Sequence, residues 1–171
     1  MKHAPQSRHD QHDASSHYLR LLAMAALSFL AMYALMYAMV DRMANVHPNI
    51  NQAWMAGLMT ASMVIIELLL MGRMYPRKGW NAAIIALGTL ALISLWFAIR
   101  QQTAVDDRQF LKSMIPHHAG AILMCEQADL HDPEILALCA SIIEGQQAEI
   151  DRMHAMLAGS GNATPASDAD G

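Results

Sequence analysis

The sequence predicts an all-α fold: three transmembrane helices followed by an exported antiparallel helical hairpin. Three observations carry this. Tyr18–Val40, Trp54–Met74 and Trp80–Ile99 are apolar runs of about 20 residues each, the length that crosses a hydrocarbon core. Two amphipathic segments with helix-start signals follow Ile99. No stretch shows the apolar–polar alternation of a strand. The composition agrees, with 54% apolar and 15% charged residues among 171, far from disorder and leaning towards membrane.

Residues 1–17 are read as a cytoplasmic tail. Its His3, His9, His12 and His17 could bind metal weakly, or be incidental in a disordered segment. The first span is too long and too late in the chain for a cleaved signal peptide, so it is expected to stay as a helix. Three buried globular helices would show polar faces; these runs carry only Arg20, Glu67 and Arg73 inside or at their ends. Basic residues set the orientation. Lys2, Arg8 and Arg20, with Arg73, Arg77 and Lys78, outweigh Arg42, Arg100, Arg108 and Lys112. The N-terminus and the 73–78 loop should face the cytoplasm. The C-terminal segment should face out, which in a Gram-negative cell means an inner-membrane protein with a periplasmic domain. The expected division is tail 1–17, membrane domain 18–100, hairpin 101–158 and disordered tail 159–171.

Residues 101–171 hold three basic and eleven acidic side chains, a net charge of −8. Such a module repels nucleic acid and draws in cations, although solubility alone would explain the charge. Its first helix is expected from Asp106 to about Leu130. The second begins after His131, with Asp132 as cap, Pro133 at the first helical position and Glu134 favouring the dipole, and runs to about Leu157. So short a connection folds the helices back on each other. A turn at Asp132 sets Cys125 opposite Cys139, His118 opposite Gln146, His117 opposite Gln147 and Leu111 opposite Met153, to within about a turn. Pro116 lies inside the first helix and should kink it.

The stretch "SMIPHHAGAILMC" (residues 113–125) collects Met114, His117, His118, Met124 and Cys125. His118 and Cys125 share a helical face, as do His117 and Met124, and Met114 stands one turn before His118. Thioether, thiolate and imidazole suit a soft ion such as Cu(I). The alternative is packing, since methionine fills gaps in cores. Cys125 and Cys139 can form a disulfide in an oxidising compartment, or remain reduced and add thiolates to the site.

"FLKSMIPHHAGAILM", followed at helix–turn–helix distance by "IIEGQQAEIDRM", resembles the ferritin-like CopM-type domain family, catalogued as a domain of unknown function. The resemblance covers about Asp106–Leu157. It implies an exported helical module associated with copper binding and tolerance, with His117, His118, Met124, Gln146, Glu149 and Met153 as ligands. The two cysteines are not part of the family pattern.

Methionine is frequent, 15 of 171, and in the spans it forms stripes. Met32, Met36, Met39 and Met43 lie on one helical face leading to His47. Met55, Met59, Met63, Glu67, Met71 and Met74 make a second, spiralling stripe. Together they could line a thioether pathway, or simply pack. Glu67 favours a pathway, because an acidic side chain in mid-membrane costs about 2.5–3.5 kcal/mol; it should be protonated or partnered, and face span one or a second protomer.

The expected function is membrane-anchored Cu(I)/Ag(I) binding for metal tolerance or handling, without catalysis. One alternative is an interaction module that dimerises through structural Met and His. Another is a metal-dependent oxidase, for which only Asp151-x-x-His154, Glu144 and Glu149 are available, far from the four-helix carboxylate set of di-iron sites. Two hairpin helices cannot shield Ile115, Ile122, Leu136, Leu138, Ile142, Ile143 and Ile150 alone. A homodimeric four-helix bundle is therefore expected, with His117 or His118 of one protomer near Met153 or His154 of the other.

Overall fold

The computed structural model describes residues 7–160, with side chains from 16 to 159. The described residues form five α-helices and no strand. These are α1 (Ser7–Leu35), α2 (Ile50–Met71), α3 (Lys78–Arg100), α4 (Asp107–Gln127) and α5 (Pro133–Ser160). Two 3-10 turns, Met36–Met39 and Met43–Asn45, lie between α1 and α2. Three helical stretches are long and apolar enough to span a membrane: Ser16–Met39, Ile50–Met71 and Lys78–Arg100. Helix α1 starts inside the segment expected as a tail, since no Gly or Pro interrupts Ser7–Leu35. The side chains of His3, His9 and His12, and residues 161–171, lie outside the described residues.

The chain divides into two compact units, one within Met1–Leu35 and Ala53–Thr103, the other within Met36–Gln52 and Ala104–Gly171. The membrane unit contains little that is buried. Leu27, Leu30, Leu87 and Leu90 are all more than 60% exposed, as suits side chains whose solvent is lipid. Helices approach where side chains are missing. A Cβ on Gly57 would meet Leu95 of α3 at 3.2 Å, and one on Gly88 would meet Ile65 of α2 at 3.1 Å. Each glycine is thus a notch for an aliphatic side chain of the other helix, the small-residue packing that serves where hydrophobic burial cannot drive association.

Polar contacts gather at one end of this unit. The Tyr18 hydroxyl donates to Asn81 Oδ1 (2.7 Å), and Asn81 Nδ2 donates to the Tyr75 carbonyl (3.1 Å). The Tyr75 hydroxyl donates to Glu67 Oε1 (3.3 Å). Glu67 therefore has a partner, and it is Tyr75. Burial, and then the neighbouring Glu67, hold the Tyr75 phenol above its ordinary pKa, so it remains a donor. His17 packs edge-on against the same tyrosine, ring centroids 6.3 Å apart.

The second unit is the α4–α5 hairpin plus the segment 36–52. Both helix starts are capped, the second by Asp132 as expected. Asp106 accepts from Gln109 N (2.7 Å), and Asp132 Oδ1 accepts from Glu134 N (2.8 Å) with Pro133 at the first position of α5. The core is Ile115, Ala119, Ile122, Ile150 and Met153, joined by Val40, Leu111, Met114, Ile143 and Leu157. Ile115, Ile122 and Ile150 are essentially inaccessible, each contributing about 1.5–3 kcal/mol by burial. Val40 does not belong to the hairpin. The segment 36–52 supplies part of the cover that two helices lack, and Gly120 makes room for it: a Cβ there would lie 3.3 Å from the Met39 carbonyl. Leu136 and Leu138, among the side chains expected to exceed what one hairpin can shield, are 48% and 59% exposed.

The same segment answers the proline. Pro116 lacks the N–H that would bond the Lys112 carbonyl. Asn49 Nδ2 donates to that carbonyl at 3.4 Å. Asn49, 5% exposed, also accepts from Gln52 N at the start of α2 (3.0 Å) and donates to the His47 carbonyl (3.0 Å). Gln109 Oε1 accepts from Ile50 N (3.1 Å), and Asn51 Nδ2 reaches Ser113 Oγ (3.3 Å).

Candidate metal centre

His118 is 9% exposed and fully committed. Its Nδ1 lies 2.8 Å from the Met114 carbonyl, and its Nε2 lies 2.8 Å from Glu149 Oε2. A carbonyl can only accept, so Nδ1 carries a proton. In a neutral ring Nε2 would then turn its lone pair towards a carboxylate. Two acceptors hold such a contact only with a cation between them, either a proton, giving an imidazolium–carboxylate pair, or a metal ion. The 2.8 Å seen is the length of a charge-assisted hydrogen bond; tetrahedral ligands at about 2.0–2.1 Å would stand about 3.3 Å apart, so a metal would need the pair to open slightly. Fixing the far ring nitrogen on a backbone carbonyl is how ligand histidines are held.

The register follows from this contact. His118 pairs with Glu149, one turn beyond the expected Gln146. Met114 precedes His118 by four residues and Met153 follows Glu149 by four, so the two thioethers stand at one level of the hairpin. Both belong to its core, about one helical turn (5.4 Å) from the His–Glu pair. Glu149 keeps its carboxylate 59% exposed, so the pair sits at the edge of the core with access to water.

The other expected ligands separate from this group. His117 is exposed, its ring 6.1 Å from that of His118. Met124 is 61% exposed and Gln146 is half-buried. Cys125 and Cys139 are joined in a disulfide, with Cα atoms 5.3 Å apart. Cys125 is therefore not a thiolate ligand. The hairpin register brings both sulfurs to the same level, where bonding to each other satisfies them. Among the described residues, no three His, Cys, Asp or Glu side chains converge into a ready-made metal cluster.

The methionine stripes also divide. Helix α1 ends at Leu35, and Met36–Met39 is a 3-10 turn. The chain is not helical at residues 40–42, so Met43 lies in a separate 3-10 turn and not on the helix that carries Met32. Met32 does turn towards α2, its sulfur 4.0 Å from the Thr60 hydroxyl. Met55, Met59, Met71 and Met74 are exposed, and Met63 is half-buried.

One grouping escaped sequence reasoning. His154 Nε2 lies 3.0 Å from Asn45 Oδ1, and the His154 ring stands 5.2 Å from that of His47. Burial first, then His154 and Lys112, hold His47 below the ordinary imidazole range. The only signal was compositional: the segment "DRMANVHPNIN" is crowded with amide side chains that need partners.

Residues 97–157 match the family model described as a domain of unknown function, DUF305. An uncharacterized protein of Acanthamoeba polyphaga mimivirus is 31% identical over 140 residues, which is 80% of this chain and 90% of the viral one. No solved structure matches. The match to the viral protein runs across nearly all of it, well beyond the hairpin, so the chain belongs to that protein's family and carries a DUF305-type helical domain at residues 97–157.

Proposed function

We propose that this protein is a membrane-anchored binder of a soft monovalent metal, Cu(I) or Ag(I), serving metal tolerance or handling from the exported side of an inner membrane. The observation that supports it most is the 2.8 Å contact of His118 Nε2 with Glu149 Oε2, which either a proton or a metal ion would bridge. Met114 and Met153 stand one turn away, and thioether with imidazole is a donor set that selects Cu(I) over harder ions. His118 would be the anchoring ligand, the two methionines the sulfur donors, and Glu149 the compensating charge. The resemblance of the hairpin to the CopM-type ferritin-like domains points the same way.

The test is Ag(I) binding to the full-length chain in detergent micelles, by competition with a chelator. His118→Ala, and the pair Met114→Leu with Met153→Leu, should each weaken binding roughly tenfold or more, the scale seen on disturbing even the groups behind a ligand. Unchanged affinity in both variants would refute the centre.

A second reading, assembly, has its own observation. Ile135, Leu136 and Leu138 at the start of α5, with Met124 of α4, are all 46% exposed or more. A second hairpin laid on this face would make the four-helix bundle that the resemblance implies. It is compatible with metal binding.

A further inference from the structure

We propose that His47 and His154 form a second metal site, distinct from the His118–Glu149 centre, which takes a soft monovalent cation between two imidazoles. It does not rest on the reading above and shares no ligand with that centre.

The argument begins with an orphan. His47 Nε2 is buried and has no hydrogen-bond partner, although buried ring nitrogens normally find one. The residue is not loosely placed. Its carbonyl accepts from the Tyr37 hydroxyl (2.9 Å) and from Asn49 Nδ2 (3.0 Å). The facing ring of His154 is oriented by a relay. Asn45 Nδ2 donates to Asp41 Oδ1 (2.7 Å), which leaves Asn45 Oδ1 to accept from His154 Nε2–H (3.0 Å). Asn45 is 2% exposed and the Asp41 side chain 3%, so the relay is enclosed. In the neutral His154 ring the lone pair is then on Nδ1. An amide backed by a carboxylate, holding the far nitrogen of an imidazole, is the support a ligand histidine receives. Two rings 5.2 Å apart are at a spacing that one ion reaches, with metal–nitrogen bonds of about 2 Å.

The charge of the ion follows from the surroundings. Among the described residues no third His, Cys, Asp or Glu joins the two rings in a cluster, and the nearby Asp41 is engaged by Arg42 at 2.8 Å and by Asn45. Lys112 acts on His47 electrostatically. A divalent ion would bring two charges into a half-buried, cation-flanked site with neutral ligands, which is costly. A soft ion of single charge, Cu(I) or Ag(I), meets the least resistance and accepts imidazole.

Ring-nitrogen NMR of the full-length chain, labelled with 15N-histidine and held in detergent micelles, tests this directly. Ag(I) should shift His47 Nε2 and His154 Nδ1, in the wild type and in His118→Ala alike. The number of tightly bound Ag(I) ions should fall by one in His47→Ala and by a different one in His118→Ala. Zn(II) at equal concentration should leave both rings unmoved. The site is refuted if Ag(I) at saturation moves neither nitrogen, a result that needs no variant to fold. An equal response to Zn(II) would overturn the assignment to a monovalent ion.

Discussion

The two units of this chain keep their shape by opposite means. In the membrane unit Gly57 and Gly88 let helices close in, while the flanks of α1, α2 and α3 remain exposed. Apolar surface needs no cover there, because lipid is as good a neighbour as leucine. In the hairpin unit three isoleucines are wholly enclosed, and a polar segment is tied down by single hydrogen bonds to cover them. One unit relies on what is left out at its contacts, the other on what is brought in from far along the chain. Substitutions of equal size should therefore have unequal effects.

The largest contrast is in the cores. Ile122→Ala removes a fully buried side chain between α4 and α5 and should cost about 2–5 kcal/mol. Leu90→Ala on α3, 61% exposed, should change stability by less than about 0.5 kcal/mol. Thermal unfolding of the detergent-solubilised chain, followed by helical circular dichroism, measures both. Equal effects would mean that the hairpin core is not the main stabilising element of the chain.

Next is the tether. Asn49→Leu leaves the carbonyl freed by Pro116 without a partner, and removes the side chain that accepts from Gln52 N. A buried acceptor left unsatisfied costs about 1–3 kcal/mol, and a lost helix cap about 0.5–2 kcal/mol. Hydrogen exchange should quicken at residues 45–52 and 109–116 together. Quickening confined to residues 45–52 would show that the segment covers the hairpin without bracing α4.

What was legible in the sequence divides along the same line. The spans announced themselves by length, and Asp106, Asp132 and Pro133 marked the helix starts through local chemistry that needs no partner elsewhere. A short turn placed Cys125 beside Cys139 by counting alone. For His118 the count gave a level good to about a turn, and Glu149 lies at that limit, because the loop geometry that sets the stagger cannot be counted. Least legible was the segment 36–52. Asn45, Asn49 and Asn51 act through individual hydrogen bonds on residues such as Lys112, Ser113 and His154, and such contacts leave no periodicity. Pro116 could be read as a kink, but what would meet the carbonyl it frees could not. The break in the first methionine stripe was hidden for a similar reason: a spacing of four, three and four fits an α-helix, and nothing local reports that the helix has ended before Met43.

The smallest effect lies where α3 gives way to α4. Gln102 and Ala104 have positive φ, 52° and 60°, in the left-handed region where an L-residue is disfavoured by about 1–2 kcal/mol. At Ala104 no side-chain contact is lost on going to glycine beyond the methyl itself. Glycine removes that strain but surrenders more chain entropy on folding, about 0.5–1 kcal/mol. Ala104→Gly should therefore stabilise the chain by about 0.5 kcal/mol, and Ala104→Val, whose branched side chain tolerates positive φ poorly, should destabilise it by more than about 1 kcal/mol. The control is Ala98→Gly inside α3, where the same change should cost about 1 kcal/mol. The sign of the alanine-to-glycine effect thus reverses within six residues, and melting of the three variants side by side reads it. If Ala104→Gly destabilises as Ala98→Gly does, the left-handed turn between α3 and α4 is not the conformation in solution.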